Sequence, residues 1–133
     1  KFDGAGLDDE QKILRTFYRQ LLRVARSEKA ITLGDMYDLT YAQGEGFNKH
    51  EHYAFIRKYK KQTLLVVVNF DDHQTDMQVR IPQDAFEHLA LETQGEAKAK
   101  DLLTGVECTF PLNPHTPICL TLPAWKGVIL KIK

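Results

Sequence analysis

The chain has 133 residues, 43% of them hydrophobic, and 18 basic side chains balance 18 acidic ones to a formal net charge of zero. That length is enough for one domain burying roughly two-thirds of its unfolded surface, and the apolar fraction favours a folded chain over a disordered one. The charge balance argues against nucleic acid as the main partner, because phosphate binding needs a basic face, and no apolar run approaches the ~20 residues of a membrane helix. No leader is expected at the start, since Lys1-Phe2-Asp3-Gly4 carries neither a charged region nor an apolar stretch behind it.

Residues 1–6 read as a loop with two glycines and an aspartate. Asp8 is placed as a helix N-cap, with Gln11 completing a capping box. Ile13, Leu14, Phe17, Leu21, Leu22 and Ala25 then recur at helical spacing. Lys12, Arg15, Arg19, Arg23 and Arg26 take the opposite face, the last of them where the helix dipole favours cations. The spacing predicts an amphipathic helix over 9–28.

Beyond Gly34-Asp35, residues 36–41 fit a strand, and residues 42–52, with two glycines and mixed charge, read as an exposed loop. Residues 53–59 and 63–70 form a predicted hairpin across Lys60-Lys61-Gln62. The run Leu64-Leu65-Val66-Val67-Val68 lacks alternation, so this strand is expected at the centre of a sheet, covered on both sides. Thr75, Met77, Val79 and Ile81 alternate with Asp76, Gln78 and Arg80, as in a half-buried antiparallel strand ended by Pro82. Residues 84–91 fit either helical turns or a strand remnant, and the polar, Ala-rich 92–100 carries no clear pattern. Strands are expected at 106–110, 118–122 and 127–132, with a proline turn over 112–117 and Pro123-Ala124-Trp125-Lys126 between the last two. About seven short strands at this spacing predict an all-β sandwich or barrel.

His50-Glu51-His52 is the sharpest metal-like motif, because histidines at i and i+2 face the same way on a strand. At the end of a glycine-containing loop, with no third ligand nearby, they read as solvated loop histidines, and neither metal nor cofactor is expected. Asp71-Asp72 is the most prominent carboxylate pair, but it follows a strand end and precedes His73, which reads as turn chemistry. Ser27 is the one serine, and there is no Gly-x-Ser-x-Gly elbow or phosphate-cradling glycine loop. Cys108 is in phase with Val106 and Phe110 and is expected to face the core. Cys119 is out of phase with Ile118, Leu120 and Leu122 and shares the other face with Thr121, so both thiols are expected to be free.

Tyr37, Tyr41, Phe47 and Trp125 lie in or beside predicted loops and are the candidate carbohydrate-binding residues. Exposed, coplanar rings can stack on a sugar, whereas core filling is the commoner use of aromatics. Trp125, beside Pro123, reads as a structural wedge at a turn. The basic cluster Arg57-Lys58-Lys60-Lys61 reads as a solvated hairpin tip that discourages edge-to-edge aggregation.

The order of these features resembles the C-terminal end of α-amylase family glycoside hydrolases. Leu14-Arg15-Thr16-Phe17-Tyr18-Arg19-Gln20-Leu21-Leu22 is similar to that family's last barrel helix, in which an aromatic pair precedes Leu-Leu. Gly34-Asp35-Met36-Tyr37-Asp38-Leu39 looks like its link into the C-terminal domain. Tyr53-Ala54-Phe55-Ile56-Arg57 resembles the first sandwich strand, 64–70 the next, and Leu122-Pro123-Ala124-Trp125 with 128–132 the closing one. The resemblance covers nearly the whole chain, and residues 84–100 depart from it most.

The resemblance implies a mainly β fold: an antiparallel Greek-key β-sandwich at 31–133, preceded by a loop and one amphipathic α-helix at 1–30 that belong to the end of a catalytic barrel. It implies no catalytic residue here, because that family's carboxylates sit on a (β/α)8 barrel, a fold of about 200 residues or more. The implied partner is the catalytic barrel of the same parent chain, acting on α-glucans such as starch and maltooligosaccharides. The alternative role is a carbohydrate-binding module that holds starch itself. The apolar face of 9–28 also needs a cover, at about 1.5–3 kcal/mol for each larger side chain. The sandwich or a second copy of the chain would provide it.

Overall fold

The computed structural model describes residues 34–44, 47 and 52–132, together with 12, 15–17, 19, 20 and 23. Among the described residues there are eight strands: β1 Asp35–Asp38, β2 His52–Tyr59, β3 Gln62–Asn69, β4 Thr75–Val79, β5 Gln94–Asp101, β6 Glu107–Leu112, β7 Ile118–Leu122 and β8 Lys126–Ile132. A 3-10 turn at Thr40–Ala42 follows β1, and one short helix, α1 at Gln83–Leu89, follows β4. All pairings are antiparallel. They build a six-stranded sheet in the order β1-β2-β3-β8-β5-β6 and a two-stranded sheet of β4 and β7. The fold is a mainly β antiparallel sandwich.

The core follows from strand periodicity. Leu65 and Val67 of β3 face the two-stranded sheet and join Ala54, Ile56, Leu130 and Ile132 with Met77, Val79, Ile118 and Leu122 in the inner cluster. Leu64, Val66 and Val68 point the other way, into a second cluster with Phe55, Ile129 and Phe17. The unbroken apolar run of β3 therefore fills both faces of a central strand, flanked by β2 and β8. The β2–β3 hairpin turns at Lys60-Lys61, with Tyr59 opposite Gln62. Arg57 donates from Nη2 to the Gly34 carbonyl at 2.9 Å and ties the entrance of β1 to the sheet.

Of the stretch expected to be helical, Lys12, Arg15, Thr16, Phe17, Arg19, Gln20 and Arg23 are described, and each is helical. The ends of that helix, its cap and its other apolar side chains lie outside the described residues. Phe17 is buried on the outer face of the large sheet. Gly127 of β8 lets it come close: a Cβ there would sit 2.6 Å from Phe17 Cε1 and 3.0 Å from the Val67 carbonyl oxygen.

Three expectations need correction. The strand expected over 36–41 ends at Asp38, and a 3-10 turn replaces its second half. Residues 42–52 are not simply an exposed loop, since Gln43, Phe47 and His52 are all buried. Gln43 donates from Nε2 to the carbonyls of Leu39 (2.8 Å) and Arg80 (2.7 Å), and its Oε1 accepts from Arg80 N (2.7 Å). A buried amide whose donors and acceptor are all used is stable there, and composition alone does not reveal it.

The strand expected at 106–110 is displaced to Glu107–Leu112, which leaves Val106 63% exposed. Residues 84–100, for which the sequence left helix and strand open, resolve into one of each. They supply α1, which buries Ala85, Phe86 and Leu89, and β5, which pairs with both β6 and β8 inside the large sheet. That eighth strand was missed because its inward residues, Ala97, Ala99 and Asp101, are small or charged, so the alternation lacks amplitude. Asp101 is held by its neighbours: Oδ1 accepts from Leu103 N (3.1 Å) and Ile129 N (3.2 Å), and Oδ2 from Thr104 Oγ1 (2.8 Å). Both cysteines are free, Cys108 half-buried beside the inner core and Cys119 exposed. Burial, helped by the Asp101 charge, pushes the Cys108 thiol up.

Candidate functional site

Two polar clusters and an apolar groove gather most of the residues that the sequence singles out as candidates. The first cluster is closed. Asn69 ends β3 fully buried and donates from Nδ2 to the carbonyls of His73 (3.2 Å), Leu122 (3.1 Å) and Pro123 (3.2 Å). Its Oδ1 accepts from Asp71 N at 2.9 Å. Asp71 Oδ2 lies 2.9 Å from His52 Nε2 and accepts from Thr75 Oγ1 at 3.3 Å. Burial, the leading cause, holds His52 below the ordinary imidazole range, so the neutral ring donates Nε2–H to the carboxylate. The cluster stitches the end of β3 to the β7–β8 connection.

His52 is thus a buried strand residue rather than a solvated loop histidine, while His50 and Glu51 lie outside the described residues. No group of three His, Cys, Asp or Glu side chains suited to a metal occurs among the described residues. Asp71 and Asp72 do form a turn, but they part company there. Asp71 is buried, and exposed Asp72 meets His73 Nδ1 at 3.0 Å. They do not converge on a cleft as a hydrolytic pair would.

The second cluster is open. Tyr37 on the edge strand β1 packs its ring against the inner core and carries its hydroxyl to the surface. That hydroxyl donates to Asp84 Oδ2 at 2.6 Å and, its proton so placed, accepts from the Tyr41 hydroxyl. Tyr41 is 58% exposed. The Tyr37 and Tyr41 rings lie 6.1 Å apart at 50°, and the exposed His88 ring lies 5.7 Å from Tyr37 at 53°. Burial first, then the hydrogen bonds to Asp84 and Tyr41, push the Tyr37 phenol above its ordinary range.

The structure therefore brings two of the four expected aromatic residues together and separates the others. Phe47 is buried, edge-on to His52 at 5.4 Å and 74°, and is a core residue. Trp125 sits half-buried at the β7–β8 turn with φ 59°. It lines a groove of about 820 Å³ with Phe17, Leu103, Val106 and Pro123. Sequence reasoning missed Asp84 and His88, whose signal was present. They stand four residues apart on the polar face of the stretch that becomes α1.

The fold and these surfaces define an antiparallel β-sandwich domain. A sequence model of the alpha-amylase SusG C-terminal domain matches residues 53–129, and the chain belongs to that family. AmyP, crystallised with maltotriose, superposes on 100% of this chain with a TM-score of 0.60 at 17% identity, and the match covers 24% of AmyP. The alpha-amylase of Anoxybacillus matches over 97% of this chain and 24% of its own, at 18% identity and a TM-score of 0.58. Trehalulose synthase MutB from Pseudomonas mesoacidophila MX-45 matches over 89% of this chain and 18% or less of its own, at 25% identity and a TM-score of 0.53. The chain thus spans about a quarter of the length of the first solved chains it matches. No curated protein matches it.

Proposed function

We propose that the chain is a non-catalytic accessory domain of an α-amylase-like glycoside hydrolase, which packs on and stabilises a catalytic barrel whose substrates are α-glucans. In this reading 31–133 is the sandwich and 1–30 the end of the barrel it adjoins. The observation that carries the proposal is the second apolar cluster. A sandwich surrounded by water keeps the outer faces of its sheets polar, yet here Phe55, Leu64, Val66, Val68 and Ile129 are buried on the outer face beneath Phe17. The groove lined by Phe17, Leu103 and Trp125 extends that apolar surface along the same flank. The burial of Phe17 against the sheet favours docking of the helix within the chain over self-association.

Incubating the chain with starch and maltooligosaccharides tests the proposal. No release of reducing ends is expected, and turnover above background would overturn it. In the parent enzyme, deleting 31–133 is expected to lower the melting temperature of the barrel. An unchanged melting temperature would remove the stabilising role.

A second reading, that the domain holds starch itself, is favoured by the exposed Tyr41 beside Tyr37. Migration through a starch gel reads it directly. Retardation supports binding, and unretarded migration removes it.

A further inference from the structure

We propose that a cavity at the β2–β3 hairpin end of the sandwich binds a small phosphate monoester, held by the ammonium groups of Lys58, Lys60 and Lys61 and by the hydroxyl of Thr63. The cavity has a volume of about 340 Å³ and lies between the large sheet and the segment that leaves α1. Lys58, Thr63 and Ile132 stand side by side on β2, β3 and β8 and form its sheet wall. Neither the accessory role nor starch binding is needed for this site.

Thr63 points to a ligand. It is in phase with Leu65 and Val67, so its side chain faces the inner core, and the residue is only 7% exposed. Its hydroxyl makes no hydrogen bond with any described residue. Among the described residues no side-chain polar atom sealed from solvent lacks a partner, so this hydroxyl opens into the cavity that Thr63 lines. Buried hydroxyls are normally hydrogen-bonded, and one left unbonded at the foot of a cavity can donate to a ligand oxygen.

The charge of the lining selects the ligand. Half-buried Lys58 donates from Nζ to the Ala90 carbonyl at 3.2 Å, which fixes the ammonium and leaves it two protons to give. Lys60 and Lys61 add two exposed ammoniums from the hairpin tip. Lys60 Nζ lies 5.4 Å from the centre of the Tyr59 ring, a contact that holds the cation without neutralising it. None of the three lysines is in an ion pair with a described carboxylate. Glu92 also lines the cavity, so three positive charges there meet one negative.

Ammonium groups are compact point charges suited to phosphate, and no arginine lines the cavity to offer a carboxylate its planar fork. Leu91, Leu112 and Ile132 make part of the wall apolar, so an ester with a carbon skeleton fits better than bare phosphate. The volume lies at the lower end of the range for small-molecule sites, which limits that skeleton to a few carbons or one ring.

Amide chemical-shift titration of the chain with phenyl phosphate, inorganic phosphate and phenol, at fixed ionic strength, tests the proposal. Phenyl phosphate is expected to bind with Kd on the order of 1 mM, and the other two at least about fivefold more weakly. The shifted amides are expected in residues 58–63 and 90–92. Thr63→Val removes the hydroxyl and keeps the shape, and is expected to weaken phenyl phosphate about fivefold. Lys61→Gln alters only an exposed side chain, so it guards against a folding defect, and a loss of about threefold is expected. Shifts confined to another part of the sandwich would overturn the site. Binding that Thr63→Val leaves unchanged, and that is no tighter for phenyl phosphate than for inorganic phosphate, would reduce the lysines to a solvated hairpin tip. No binding at all would overturn the proposal and leave the accessory role untouched.

Discussion

The two polar clusters use similar groups to opposite ends. Each contains a carboxylate and an imidazole, Asp71 with His52 in one and Asp84 with His88 in the other. In the first, both partners are buried, and Asn69 spends its donors and its acceptor on the backbone around it. In the second, Asp84, His88 and Tyr41 are exposed, and only Tyr37 is partly enclosed. What separates structure from ligand capacity here is burial, not residue type. A satisfied, dry network holds chain segments together, and a half-used network in water still has bonds to offer.

The strongest way to break the closed cluster is Asn69→Ala. The amide is fully buried and has two protons for three carbonyls, so one proton is shared. Truncation leaves the carbonyls of His73, Leu122 and Pro123 and the N–H of Asp71 without this partner. A loss of about 2–4 kcal/mol is expected. It should appear as a lower urea midpoint with an unchanged m-value. A loss below about 0.5 kcal/mol would mean that the backbone re-satisfies itself and that the cluster does not hold the β7–β8 connection in place.

A smaller effect, and one that sharpens the contrast, is the pH response. Burial holds His52 below its ordinary value of 6.5 in the folded state. Between the folded value and 6.5 the unfolded chain binds more protons, so stability is full above 6.5 and falls as the pH drops through that window. The open cluster acts at the other end of the scale. Tyr37 ionises above its ordinary value of 10.0, so the folded state keeps its phenol proton longer, and stability falls as the pH rises past 10.0. Denaturant midpoints across pH are therefore expected to lose their acid slope in His52→Gln and their alkaline slope in Tyr37→Phe. A proton-resonance titration placing His52 above 6.5 would make the His52–Asp71 contact an ion pair and reverse the acid prediction.

The strands were legible where inward residues were large. The alternation of Met77 and Val79, the continuous run of β3 and the hairpin across Lys60-Lys61 all correspond to strands with strong apolar contrast. β5 was not legible because Ala97 and Ala99 give too little contrast and Asp101 reverses the expected sign. The burial of Gln43, Phe47 and His52 depends on partners far along the chain, such as Arg80 and Asp71, which no local pattern specifies. The same holds for the open cluster. Tyr37 and Tyr41 could be named as exposed-aromatic candidates, but Asp84 lies 47 residues from Tyr37, and only the packing of α1 beside β1 joins them. Tertiary contacts of this kind carry the site, while periodicity carries the frame that positions it.

The smallest expected effect is also the most discriminating. Tyr41→Ala removes a large side chain, yet Tyr41 is 58% exposed and its hydroxyl serves only the surface network. A ring that buries little cannot add much to folding, so the change in stability should stay within about 0.5 kcal/mol. Thermal or urea unfolding of this variant checks that figure. A loss of about 2 kcal/mol or more would mean that Tyr41 braces the 3-10 turn against β1, and the open cluster would then belong with the closed one as structure. Near-neutral stability, set beside the cost expected at Asn69, leaves an exposed tyrosine that folding does not require. Such a residue is available for binding in a way that Asn69, His52 and Asp71 are not.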